Sequence, residues 1–218
     1  MNDSTPYPQR TRIKFCGITR EQDAQQAVAL GVDALGFVLV PASPRFIAPA
    51  AAAIIRRALP PLVSSVALFR NPTPAFVREA LAELHPDLLQ FHGDEDAGFC
   101  ESFGMPYLKA VAMAEPQDLA TLARTYASAA ALLLDGHGAQ SMGGSGQMFD
   151  WSRVERVGTP LILAGGLKPE NVAAAIACVR PYAVDVSSGI EASSGTKDSE
   201  KMRAFASEVQ RADQELKR

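Results

Sequence analysis

Two side chains in this sequence stand where proton transfer chemistry is possible. Cys16 follows Lys14 by two residues in RIKFCG. On an extended strand the two side chains share one side, and an ammonium there would favour a thiolate. Asp135 closes the run LLLD, an apolar setting that raises a carboxyl pKa and keeps the group a proton donor near neutral pH. Each has a structural alternative: a small buried apolar Cys, and a strand-end Asp that caps a turn amide. His92 in LQFHG and Asp185 in AVDVSSG are further polar groups ending apolar runs, the latter able to orient a loop or a ligand.

Anion binding is the second chemistry on offer. Three short loops, containing Gly144 and Ser145, Gly165 and Gly166, and Ser188 and Gly189, carry backbone amides with little side chain to obstruct a phosphate. A plain turn is the alternative for each. Arg45, in SPR, is a fixed charge able to grip a carboxylate through two hydrogen bonds, or else a solvated surface group. His85, His92 and His137 form no ligand pattern with nearby acids, so no catalytic metal is expected.

These residues need a scaffold that gathers them. Apolar runs of strand length occur at 12–17, 34–39, 64–69, 88–93, 107–112, 131–136, 161–166 and 183–188, mostly ended by Gly or Ser. Helical segments alternate with them at 21–30, 49–58, 74–84, 95–103, 115–127, 151–156, 169–178 and 198–213. Pro49, Pro74, Pro116 and Pro169 suit first turns, and Asp118 and Glu170 place acceptors near N-termini. Near-continuous apolar strands predict a parallel sheet covered by helices. Eight such units predict a single-domain α/β fold, a (β/α)8 TIM barrel over residues 12–218 behind a flexible leader of residues 1–11. A doubly wound sheet is the alternative, but no G-x-G-x-x-G follows the first strand. In the barrel, Cys16, His92, Asp135, the Gly165–Gly166 pair and residues 185–189 all fall at the C-terminal strand ends, on one face.

Composition bounds the partners. The 218 residues carry 21 basic and 24 acidic side chains, a net charge of −3, which argues against nonspecific nucleic-acid binding. No run approaches the roughly 18 apolar residues of a membrane span, and the N-terminus lacks a secretion signal. Cys16, Cys100 and Cys178 are odd in number and widely spaced, which predicts a reducing cytoplasm; Cys100 and Cys178 fall on expected helices and are read as structural.

Taken together, KFCGIT at 14–19, DALGFV at 33–38, SPR at 43–45, LQFHGDE at 89–95, LLLDG at 132–136, GGSGQMFDW at 143–151, LAGGLKPENV at 163–172 and AVDVSSGIE at 183–191 closely resemble the phosphoribosylanthranilate isomerases of tryptophan biosynthesis. The resemblance runs in order from about residue 12 to the last helix. It implies a cofactor-free Amadori rearrangement of N-(5-phosphoribosyl)anthranilate to 1-(2-carboxyphenylamino)-1-deoxyribulose 5-phosphate. It also implies Asp135 as general acid, Cys16 as general base, Arg45 on the anthranilate carboxylate, and Gly144, Ser145, Gly165, Gly166, Ser188 and Gly189 around the phosphate. His92 and Asp185 would line the pocket. The only partner expected is the small-molecule substrate, with a monomer preferred to a homodimer. Three departures stand out: Phe91 where a Leu is usual, Arg70 at a usually apolar position, and no aromatic residue ahead of SPR.

Two other readings compete. Another sugar-phosphate barrel, a lyase or synthase, would use catalytic Lys and Glu, and Lys109 in the fifth strand keeps that reading open. A noncatalytic phosphosugar-binding barrel would tolerate loss of Cys16 and Asp135.

Overall fold

The computed structural model describes residues 10–136 and 148–217, so Gly144, Ser145 and His137 lie outside the described residues. Eight parallel strands close into a barrel in chain order. They are β1 (Arg12–Cys16), β2 (Ala34–Val38), β3 (Ser64–Phe69), β4 (Leu88–Phe91), β5 (Tyr107–Ala112), β6 (Ala131–Asp135), β7 (Leu161–Leu163) and β8 (Ala183–Val186). Pairing of β1 with β8, Lys14 opposite Asp185, completes the ring. All eight apolar runs of the sequence become these strands; β3 and β5 match in full, and the other six end one to three residues sooner.

Strand alternation divides the interior in two. One set, including Phe15, Phe37, Phe69, Phe91, Tyr107 and Leu134, packs outward against the helices; the other, including Val66, Leu108, Ala110, Leu133, Ile162 and Ala183, fills the barrel. Phe91, a departure from the family pattern, belongs to the outward set, stacked among Phe69, Phe99, Phe103 and Tyr107. It alters helix packing and leaves the lumen untouched.

The helices are α1 (Glu21–Ala29), α2 (Pro49–Arg57), α3 (Pro74–Leu84), α4 (Ala97–Glu101), α5 (Leu119–Thr125), α6 (Val172–Val179) and α7 (Ser199–Glu215). Pro49 and Pro74 open α2 and α3, and the Thr73 hydroxyl accepts from the Phe76 amide, a cap worth about 1 kcal/mol. Three expected starts are corrected. Helix α5 begins after Pro116, at the residue following Asp118, whose carboxylate accepts from the Thr121 amide at 2.9 Å. Helix α6 begins after Pro169 and Glu170, because the Asn171 side chain ties the preceding turn by accepting from the Lys168 amide and donating to the Gly166 carbonyl. Helix α4 is shorter than 95–103: Asp96 caps it, while Glu95 turns inward to Lys109.

At the N-terminal edge, Arg10 pairs with Asp33 and both polar atoms of Thr11 bond to Asp213 in α7. Residues 10 and 11, assigned to the leader by sequence, are therefore anchored. A 3-10 turn (Ser188–Ile190) and a small hairpin, β9 (Glu191–Ser193) with β10 (Thr196–Lys197), follow β8. Among the described residues no helix is long and apolar enough to cross a membrane.

Candidate active site

The C-terminal mouth of the barrel holds about 810 Å³ of empty space, part of it open to solvent, which suits a small phosphorylated substrate. Cys16, Arg45, His92, Asp135, Gly165, Gly166, Asp185 and Ser188 all line it. Cys16, Asp135 and Asp185 arrive there by one rule: every second residue of a strand points into the barrel, and the inward positions near a strand's end meet the opening; the others lie just past strand ends or on the loops that follow.

On β1 that rule places Lys14 and Cys16 together. A side chain at Gly36, opposite Cys16 on β2, would come within 2.7 Å of Cys16 Sγ and 3.1 Å of Lys14 Nζ. The bare glycine leaves that space to the thiol and the ammonium. The electrostatic expectation for Cys16 is corrected here. Burial pushes the thiol up; Lys14 and Lys197 pull it down, but Asp185 opposes them, and the balance lies above the ordinary value. Lys14 Nζ donates to Asp185 Oδ1 at 2.9 Å, with both side chains buried, so its charge is largely matched before it reaches the sulfur.

Asp135 ends β6 with 7% exposure, and its Oδ2 lies 3.3 Å from His92 Nε2. The other ring nitrogen of His92 lies 3.1 Å from the Gln90 amide nitrogen, two residues back on the same inward face. Asp135 is thus fixed by a histidine that is itself held from behind. Gln90 was not singled out by sequence, although its spacing from His92 was signal enough.

Arg45 reaches the mouth from the loop after β2. Its Nε and Nη2 donate to the two carboxylate oxygens of Glu191, each at 2.8 Å, and Glu191 also accepts from Lys197 Nζ at 3.0 Å. Burial pushes the Glu191 carboxyl up, but these cations outweigh it and hold the group below its usual range. Among the described residues, Nη1 of Arg45 is left uncommitted. The Arg45–Glu191 pairing spans 146 residues and carried no local sequence signal.

Gly165 and Gly166 adopt φ of 77° and 66°, a left-handed backbone that follows β7 directly. A Cβ on Gly165 would fall 2.2 Å from the Gly136 amide nitrogen and 2.8 Å from Asp135 Oδ1. Neither glycine amide donates to an acceptor among the described residues. Ser188 lines the mouth beside them, from the turn after the neighbouring β8, whereas Gly189 does not; it sits against the Leu167 carbonyl, 1.9 Å from where its Cβ would be.

Lys109 takes no part in this mouth. It lies in register with Tyr107 and Val111, on the side of β5 that faces the helices, and donates to Glu95 at 3.0 Å and to the Gly93 carbonyl at 2.6 Å. The lyase or synthase alternative, which needed Lys109 at the site, loses its residue.

Comparison with known proteins agrees with this geometry. Residues 13–208 match the family described as N-(5'-phosphoribosyl)anthranilate isomerase. The N-(5'-phosphoribosyl)anthranilate isomerase of Stenotrophomonas maltophilia is 53% identical over 207 residues, covering 94% of this chain and 95% of its own. The crystal structure of phosphoribosyl anthranilate isomerase from Thermus thermophilus superposes with a TM-score of 0.85 at 40% identity, over 92% of this chain and 99% of that one. A further isomerase structure, solved in complex with reduced 1-(o-carboxyphenylamino)-1-deoxyribulose 5-phosphate, superposes at 0.78 with 36% identity, over 92% and 98%. The chain belongs to the phosphoribosylanthranilate isomerase family, which converts N-(5-phosphoribosyl)anthranilate to 1-(2-carboxyphenylamino)-1-deoxyribulose 5-phosphate in tryptophan biosynthesis.

Proposed function

We propose that Asp135 and Cys16 divide the proton transfers of this isomerisation. The observation that carries the proposal is their placement on one mouth, from β6 and β1, each nearly buried and each backed by a polar partner. Asp135 gives its proton to the furanose ring oxygen, the C1–O bond breaks, and the nitrogen lone pair forms the C=N bond of a protonated imine. That imine acidifies the neighbouring C2–H. Cys16, as thiolate, takes the C2 proton; the released electron pair forms the C1=C2 bond as the C1=N π pair returns to nitrogen, and the resulting enolamine tautomerises to the ketone. Fixed geometry makes a weak acid and a weak base sufficient.

His92 orients the Asp135 carboxyl, and Asp185 sets the charge that Lys14 presents to Cys16. Arg45, oriented by Glu191, offers Nη1 to the anthranilate carboxylate. The amides of Gly165 and Gly166 and the turn at Ser188 receive the phosphate, together with Gly144 and Ser145. No cofactor has a role in this scheme; the free cysteines Cys16, Cys100 and Cys178 support a cytoplasmic enzyme, and sedimentation of the purified protein tests whether it is a monomer.

The test is a fluorescence assay on freshly generated phosphoribosylanthranilate with a chelator present. Cys16→Ala and Asp135→Asn are each expected to lower kcat by about 10²–10⁴-fold while a reduced product analogue still binds. Near-normal turnover in both variants would remove these roles.

A further inference from the structure

Arg70 is the charged residue of the mouth that the scheme above leaves without a task. It continues the inward series Val66 and Leu68 by one more pleat, just past the end of β3, and lines the opening half-buried. The turn that carries it is fixed. Asn71 adopts φ of 49°, its amide donates to Glu95 at 2.7 Å, and its side chain exchanges hydrogen bonds with Asp94.

Position decides which end of the substrate Arg70 serves. In a closed ring of eight strands in chain order, β3 lies opposite β7, so Arg70 stands across the mouth from Gly165 and Gly166. On its own side are Arg45 and an apolar cluster of Val38, Val40 and Leu68 beside Cys16. Two guanidiniums beside an aliphatic patch complement an aromatic ring that bears a carboxylate. A phosphate would find the guanidiniums there but no use for the patch.

Charge supports the same assignment. Lys14 is matched by Asp185, and Arg45 and Lys197 share the single carboxylate of Glu191, with Asp135 nearby. Arg70 adds one more guanidinium to that set. Arg45 also has its Nε–Nη2 edge occupied by Glu191, which leaves it unable to hold a second carboxylate through that edge.

We propose that Arg70 is a specificity-determining residue that binds the anthranilate carboxylate jointly with Nη1 of Arg45, holding the ring against Val38, Val40 and Leu68. This rests on the substrate orientation proposed above and adds a residue to it. The experiment uses two ligands: the reduced product analogue with its ring carboxylate, and its phenylamino counterpart without one. Arg70→Met is expected to weaken the carboxylated ligand by about 10–100-fold and the other by less than about threefold, with KM rising more than kcat falls. Arg70→Lys, which keeps the charge but not the fork, falls between. Equal weakening of both ligands, or weakening of neither, overturns the proposal, and Arg70→Lys supplies the same comparison should Arg70→Met not fold. The fate of Cys16→Ala and Asp135→Asn judges the acid–base scheme separately, so each can fail alone.

Discussion

Lys14 and Asp185 face each other across the seam where β1 meets β8, Nζ to Oδ1 2.9 Å, one pleat repeat before the thiol of Cys16. The pair joins the ends of the barrel and tunes the Cys16 thiol at once. An unpaired ammonium would favour the thiolate; a paired one leaves burial in command.

The pH dependence of Cys16 follows from that balance. Its raised pKa predicts that the rate of Cys16 alkylation climbs with pH and is still climbing at the ordinary thiol value of 9.0. Asp185→Asn removes a charge that pushes the thiol up and lowers its pKa; Lys14→Met removes one that pulls it down and raises it. Alkylation rate against pH reads both. A Cys178→Ser background serves, because Cys178 is exposed and Cys100 is pushed up to about 12 by burial.

Glu191 links acid stability to substrate binding. Its folded pKa lies below its ordinary value of 4.5, so its contribution to stability is complete above that value and is lost as pH falls through the folded pKa. In Glu191→Gln this component disappears, and acid unfolding followed by circular dichroism becomes less steep below pH 4.5. The same variant frees Arg45 from its two-point hold and raises KM by about 3–30-fold.

Gly189→Ala tests the packing behind the phosphate loops. The added methyl would meet the Leu167 carbonyl at 1.9 Å, a contact only backbone movement relieves. The expected cost is about 1–3 kcal/mol, lowering Tm by roughly 2–12 °C, with weaker binding of phosphorylated ligands than of their dephosphorylated forms. Unchanged Tm and unchanged preference would contradict the close approach.

Lys109→Met separates a structural lysine from a catalytic one. Leaving Glu95 buried without its ammonium costs about 3–5 kcal/mol, or roughly 6–20 °C in Tm. At temperatures where the variant is folded, kcat stays within about tenfold of the parent, against the 10²–10⁴-fold expected for loss of an acid–base group. Thermal melts and steady-state kinetics on one preparation decide it.

The barrel and the placement of Cys16 and Asp135 at its mouth were legible in the sequence because both depend on local pattern. Apolar runs mark β1 to β8 wherever the strands are buried on both sides, and a two-residue pleat puts Lys14 with Cys16 and Leu133 with Asp135. Helix starts at α5 and α6 were less legible, since Pro116 and Pro169 suit a first turn equally well whether or not Asp118 or Asn171 intervenes. What only the tertiary structure decided is the partner of each charge. Lys14 and Asp185 are 171 residues apart, Arg45 and Glu191 are 146, and Lys109 meets Glu95 from the outward face of its strand. The direction of the Cys16 shift belongs with them: proximity to Lys14 is written in the strand, but desolvation and the opposing carboxylate exist only once the barrel has closed, because electrostatic energy depends on distances and burial that no local spacing specifies.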